Sequence, residues 1–160
     1  MKAKKRFTDF FIKRAVGKLA KVSGKRKRCF RSLQDARDIV VFYEAKDSEQ
    51  VEPGLNALRA LQKNVHPCVY SAGQENARGF PIPEIANRIN ALRADILIDL
   101  TGGDCYPMKY LLLQHPSRFK AGIKTDGKDL YDFSISATGR EELPYLFEQI
   151  IFYLQTIRSK

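Results

Sequence analysis

Strand-like and helix-like stretches alternate along the chain. The run Asp38-Ile-Val-Val-Phe-Tyr43, β-branched and aromatic, predicts a first strand. Val51, Leu55, Leu58 and Leu61 then recur at helical spacing behind a cap at Asp47 or Ser48, which predicts a helix over about 48–63. Pro67-Cys-Val-Tyr-Ser71 reads as a second, short strand and residues 73–82 as a loop. Ile85, Ile89 and Leu92 line a helix that follows Pro83. Asp95-Ile-Leu-Ile-Asp-Leu100 is the clearest buried strand, and Thr101-Gly-Gly-Asp104 turns the chain into a helix over about 106–114 carrying Met108, Leu111 and Leu112. Residues 118–123 and 131–136 read as two more strands. Too few residues separate them for a crossover helix, so this pair is expected to be antiparallel or displaced across the sheet. The last helix, about 143–158, aligns Leu143, Leu146, Phe147, Ile150, Ile151, Leu154 and Ile157 on one face. The order βαβαβαββα predicts an α/β fold: a three-layer, Rossmann-like sandwich with a mainly parallel sheet of about five strands. The strands near 38–43, 67–72 and 95–100 are expected to run parallel.

Ahead of this single α/β domain, residues 32–160, the pattern is different. Phe7, Phe11, Ile12, Ala15, Leu19 and Val22 fall on one side of a helical wheel, with Arg6, Lys13, Arg14 and Lys21 on the other and Lys4 and Lys18 at the apolar edge. A basic amphipathic helix is predicted over about residues 6–22, ended by Ser23-Gly24. The like-charge block Lys25-Arg26-Lys27-Arg28 follows.

Charge sharpens that division. Residues 1–31 hold 13 Lys/Arg and one acid, a net +12, while the rest of the 160-residue chain is at −2. The body cannot neutralise such an arm. With 44% hydrophobic and 29% charged residues the composition is that of a globular protein. Three cysteines (Cys29, Cys68, Cys105) without a CxxC pair point to a reducing compartment. No apolar run approaches the roughly 18 residues of a membrane span, and lysines interrupt the basic N-terminus where a signal peptide would be apolar. A cytoplasmic protein is expected, with peripheral attachment to the inner membrane left open.

The candidate chemistry lies at strand ends. Asp99-Leu-Thr-Gly-Gly-Asp104 follows the clearest strand, where open α/β sheets place their ligands. Gly102 and Gly103 would let a ligand approach the backbone closely, and the following helix offers free N–H groups to an anion. Glu44, Ser71 and Gly73 end the first two strands and would line the same crevice as Asp99, Thr101, Gly102, Gly103 and Asp104, with a small phosphate-bearing molecule as ligand. The bland alternative makes Asp104 a helix cap and the glycines a turn. Asp99 shares a strand face with Leu97, so its carboxylate needs a partner. Gly122-Ile-Lys-Thr-Asp-Gly127-Lys128 has P-loop spacing, but Asp129 replaces the Ser or Thr that would hold magnesium and a strand follows instead of a helix. It reads as a turn. His66 and His115 precede prolines and read as structural or solvent-facing. Cys105 could be activated near a helix start, but with no paired base it reads as an inert thiol. No catalytic residue, metal site or cofactor is expected.

The arm admits three readings. Lys25, Arg26, Lys27, Arg28 and Arg31 could bind nucleic-acid phosphates. The helix could lie on an anionic membrane surface through Phe7, Phe10 and Phe11. It could instead dock on the domain through the same phenylalanines, with its charges solvated.

Several segments carry a resemblance. Ala94-Asp-Ile-Leu-Ile-Asp-Leu100, Leu111-Leu-Leu, Arg118-Phe-Lys-Ala-Gly-Ile123, Tyr131-Asp-Phe-Ser-Ile135 and Leu146-Phe-Glu-Gln-Ile-Ile-Phe-Tyr-Leu154 occur in the order of a small bacterial family built on a domain of unknown function, which the chain resembles over about 93–160. The same segments are distantly similar to the N-terminal half of heptosyltransferase-type glycosyltransferases, but this chain lacks their second, nucleotide-sugar-binding domain. The family resemblance implies a fold and no activity. The first expectation is a non-enzymatic binding or adaptor domain with the arm as its contact. The alternative is a nucleotide- or sugar-phosphate-binding, glycosyltransferase-like domain using the crevice at Asp99 to Asp104.

Overall fold

The computed structural model describes residues 2–23, 30–124 and 130–157, with the side chains of residues 2–9 outside the description. The elements are α1 (Lys2–Ser23), β1 (Asp38–Glu44), α2 (Ser48–Ala60), β2 (Asn64–Tyr70), α3 (Pro83–Asn90), β3 (Ile96–Asp99), α4 (Tyr106–Gln114), β4 (Phe119–Lys124), β5 (Phe133–Ser136) and α5 (Leu143–Thr156). The five strands form one sheet in the order β2-β1-β3-β4-β5, and every neighbouring pair is parallel.

Helices cover both faces of the sheet, so its inner strands bury residues on both sides instead of alternating apolar with polar. Ile39, Val41, Tyr43, Ile96 and Ile98 join Val51, Leu55 and Leu58 of α2 and Leu146, Phe147, Ile150 and Leu154 of α5 in one core. Val40, Phe42 and Leu97 point the other way, into a second core with Ile89 of α3 and Met108, Leu111 and Leu112 of α4. Pro67 is tolerated because β2 is an edge strand. His66 lies in that strand, with Nε2 3.3 Å from Oδ1 of Asp38.

One expectation is overturned. The pair β4 and β5 is adjacent and parallel, with Ala121 opposite Phe133 and Lys124 opposite Ser136. A short connection suffices because β5 pairs only with the last residues of β4. The chain therefore returns only about 10 Å along the sheet, well within reach of the intervening residues. Gly122 makes room for that return. A Cβ there would lie 2.4–2.8 Å from atoms of the Tyr131 ring. Asp132 fastens the end of the connection, its N–H donating to the Lys120 carbonyl at 2.8 Å and its Oδ2 accepting the Lys120 N–H at 2.8 Å.

His115 is structural. It is buried after α4, its Nδ1 accepts the Ser117 N–H at 3.1 Å, and its Nε2 lies 3.2 Å from the Ile89 carbonyl. That pairing requires the neutral tautomer with the proton on Nε2. Burial holds its pKa below the ordinary 6.5, against the pull of the Ile89 hydrogen bond and with the help of the Lys120 charge. The unfolded chain therefore takes up a proton first as pH falls, and native stability is lost between 6.5 and the lower folded value. Urea titrations at pH 7.5 and 5.5 should show the advantage of wild type over His115→Gln shrinking at the lower pH, by up to about 1.4 kcal/mol per pH unit. An advantage independent of pH would show that His115 is not held neutral.

Candidate functional site

In the order β2-β1-β3-β4-β5 the winding reverses between β1 and β3, and ligands of doubly wound sheets bind outside the carboxyl ends of the strands at such a point. Glu44 ends β1 there and Asp99 ends β3. The Gly102 N–H donates to Glu44 Oε2 at 3.0 Å, and a Cβ on Gly102 would stand 3.0 Å from Asp104 Oδ1 and 3.4 Å from Glu44 Oε2. Two carboxylates close on its backbone, and a side chain there would make them give by a few tenths of an ångström. A phosphate entering here would have to displace Glu44 from that N–H beside a second acid. Of the other crevice residues, Ser71 donates its N–H to Gln74 Oε1 at 3.1 Å, and Gly73 adopts a positive φ of 93°. Glu44, Asp99, Thr101, Gly102 and Asp104 are thus drawn together. Ser71 and Gly73 belong to the loop that leaves β2.

Asp99 itself faces inward and is wholly buried. Lys109 Nζ donates to its Oδ2 at 2.6 Å, and the Tyr131 hydroxyl donates to the same oxygen at 2.7 Å. The Thr101 hydroxyl and N–H donate to Oδ1 at 2.6 and 3.0 Å. Lys109 also donates to the Thr101 hydroxyl at 2.9 Å and to its carbonyl at 3.1 Å, so all three ammonium protons are matched. This closed network ties β3, α4 and the end of the β4–β5 connection together. The need for a partner at Asp99 was visible in the sequence, whereas Lys109 and Tyr131 were not singled out. The available signal was a lysine inside the otherwise apolar turn Met108-Lys-Tyr-Leu111 of α4.

Cys105 stands at the start of α4, buried, and burial together with the Glu44 charge pushes its thiol up to about 12. It is a protonated, unreactive thiol at neutral pH.

The N-terminal helix docks on the domain. Ile12 and Val16 are buried where α1 packs on α4, and Lys13 Nζ lies 6.0 Å from the centroid of the Tyr106 ring. The docking side is rotated from the apolar side read on the helical wheel, because Ile12 and Val16, one turn apart, fit α4. Phe11, Phe10 and Val22 are 39%, 58% and 71% exposed. The expectation of docking through phenylalanines is thus corrected for Phe10, while Phe11 meets the domain at Arg78, in the loop between β2 and α3. Lys13, Arg14, Lys18 and Lys21 are exposed as well. Arg31 is set apart from them. It is half-buried between Phe30, which packs against the α2/α5 core, and Ser32. Lys25, Arg26, Lys27 and Arg28 lie outside the described residues, as do residues 125–128 of the P-loop-like spacing.

Fold and strand ends together define a doubly wound, all-parallel α/β domain with a basic helix docked on one face. Residues 76–157, half of the chain, match the model of a family of unknown function, DUF6913, and the chain belongs to that family. The matched stretch contains Asp99, Thr101, Lys109 and Tyr131, while α1, β1 and β2 precede it. No curated protein and no solved structure matches the chain.

Proposed function

We propose that this chain is a non-enzymatic cytoplasmic binding or adaptor domain that contacts a polyanionic partner through its basic N-terminal arm. The observation that carries the reading is the division of labour on α1. Ile12 and Val16 hold the helix to α4, while Lys13, Arg14, Lys18 and Lys21 stand exposed. A docked helix presents its cations as a fixed array, so little ordering entropy opposes binding. The net −2 of residues 32–160 is far too small to neutralise the +12 that precedes it. The state of the buried carboxylate supports a binding role over a catalytic one, since Asp99 is saturated by Lys109, Tyr131 and Thr101.

Counterion release gives the test. If the arm meets a polyanion, log affinity falls linearly with log salt, by about 0.9 per phosphate neutralised on a duplex. Replacing Lys25, Arg26, Lys27 and Arg28 with alanine should flatten that slope by several units and leave the thermal melting of the domain unchanged. The measurement is binding to heparin, RNA and anionic vesicles across a salt series. Wild type and variant binding all three equally weakly, with no salt dependence, would overturn the reading.

A further inference from the structure

Resting on that reading, we infer that the polyanion met by α1 is the anionic surface of a lipid bilayer, on which the docked helix lies flat with Phe10 and Val22 entering between the headgroups. The outward side of α1 is not a purely cationic stripe. Phe10, Arg14, Lys18 and Lys21 follow one another at offsets of four, eight and eleven residues, which brings them onto one side of a helix of 3.6 residues per turn. Phe11 and Val22 flank that side next to Lys18. Phe10 and Val22 are 58% and 71% exposed, while the opposite side is taken up by Ile12 and Val16 against α4.

A second element adds to the same surface. Arg78, in the loop between β2 and α3, places its guanidinium 5.6 Å from the Phe11 ring centroid, and the Phe10 and Phe11 rings meet edge to face at 5.6 Å. A cation from a loop therefore stands beside the aromatic pair of the helix. After Asp9 the helix contains no acid, so this side is complementary to a negative surface along its length.

Large apolar groups interleaved with cations distinguish a membrane from a nucleic-acid duplex. Phosphate oxygens of a duplex need donors and positive charge, and an aliphatic Val22 gains nothing from them. At a bilayer interface both classes of side chain are used. Apolar groups sink roughly 5–10 Å into the headgroup–acyl boundary, while lysines and arginines extend their heads to the anionic lipids. No helix among the described residues is long and apolar enough to cross a membrane, which restricts α1 to lying on the surface. Two further features favour this orientation. The helix packs on α4, outside the layer that covers the sheet, and it is already helical in the docked state.

The chain lacks tryptophan, so Phe10→Trp in the full-length protein gives a single reporter at the proposed depth. Vesicles of phosphatidylcholine mixed with phosphatidylglycerol should shift its emission to the blue and carry the protein in flotation. Vesicles of phosphatidylcholine alone should do neither. The double variant Phe10→Ser/Val22→Ser should melt like wild type and lose at least about tenfold in vesicle partitioning while retaining heparin binding. An unshifted emission, or vesicle binding unchanged in the double variant, overturns the lipid inference. Binding to RNA that exceeds vesicle binding at equal salt also overturns it but leaves the polyanion reading standing. Binding to none of these probes overturns both.

Discussion

Lys109→Met is expected to destabilise the domain by about 3–5 kcal/mol, because it strands the Asp99 carboxylate in the core without its counter-ion. Both side chains are almost wholly removed from water, 4% exposed for Lys109 and 0% for Asp99. An exposed pair would contribute only about 0–1 kcal/mol, so burial decides the size of the effect. The pair as a whole is another matter. Its Coulomb attraction is set against the desolvation of both ions, and exchange of a buried pair for neutral groups of similar shape is often close to neutral. Lys109→Met/Asp99→Asn keeps an amide oxygen for Thr101 and an amide N–H that can face the Tyr131 hydroxyl, and it should recover more than half of the loss. Urea unfolding of the two single variants and the double variant measures the coupling. A cost below about 1 kcal/mol for Lys109→Met would show that water reaches the pair.

Phe147→Ala should cost a similar amount, about 3–5 kcal/mol, since the ring is fully buried where α5 packs on α2. Its neighbour makes the more discriminating test. A Cβ on Gly54 would fall 2.3–2.9 Å from carbons of the Phe147 ring. Alanine is the better helix former by roughly 1 kcal/mol, yet the overlap should dominate and Gly54→Ala should destabilise by about 1–3 kcal/mol. In Gly54→Ala/Phe147→Ala the new methyl group lies in space that the ring has left. The double variant should therefore lose clearly less than the two single variants added together. Strict additivity of the urea midpoints would show that the two residues do not share that space.

Much of the architecture was readable from local pattern. The buried strands β1 and β3 are continuous apolar runs, and α2 and α5 carry apolar residues at helical spacing, because burial on both faces of a sheet and on one stripe of a helix leaves those signatures. The split between a basic arm and a nearly neutral body is a matter of counting charges. The demand of Asp99 for a partner followed from its strand face alone. Element ends moved by a few residues, as in α1, which begins near Lys2 and not near Arg6.

Other features depended on contacts that pattern does not encode. The direction of β5 rests on its register against the last residues of β4, with Gly122 leaving room for the Tyr131 ring beside that short parallel return. The side of α1 that faces the domain was set by the fit of Ile12 and Val16 to α4, since the apolar stripe on the wheel was wide enough to allow more than one orientation. The crevice was recognisable as a place, but the hydrogen bonds within it join residues far apart in the chain: Lys109 to Asp99 across ten positions, Tyr131 to Asp99 across 32, and Gly102 to Glu44 across 58. Periodicity and charge state which side chains must leave water and which must find a partner. Which partner each one finds was decided only when the packed sheet and helices brought those distant groups within hydrogen-bonding distance.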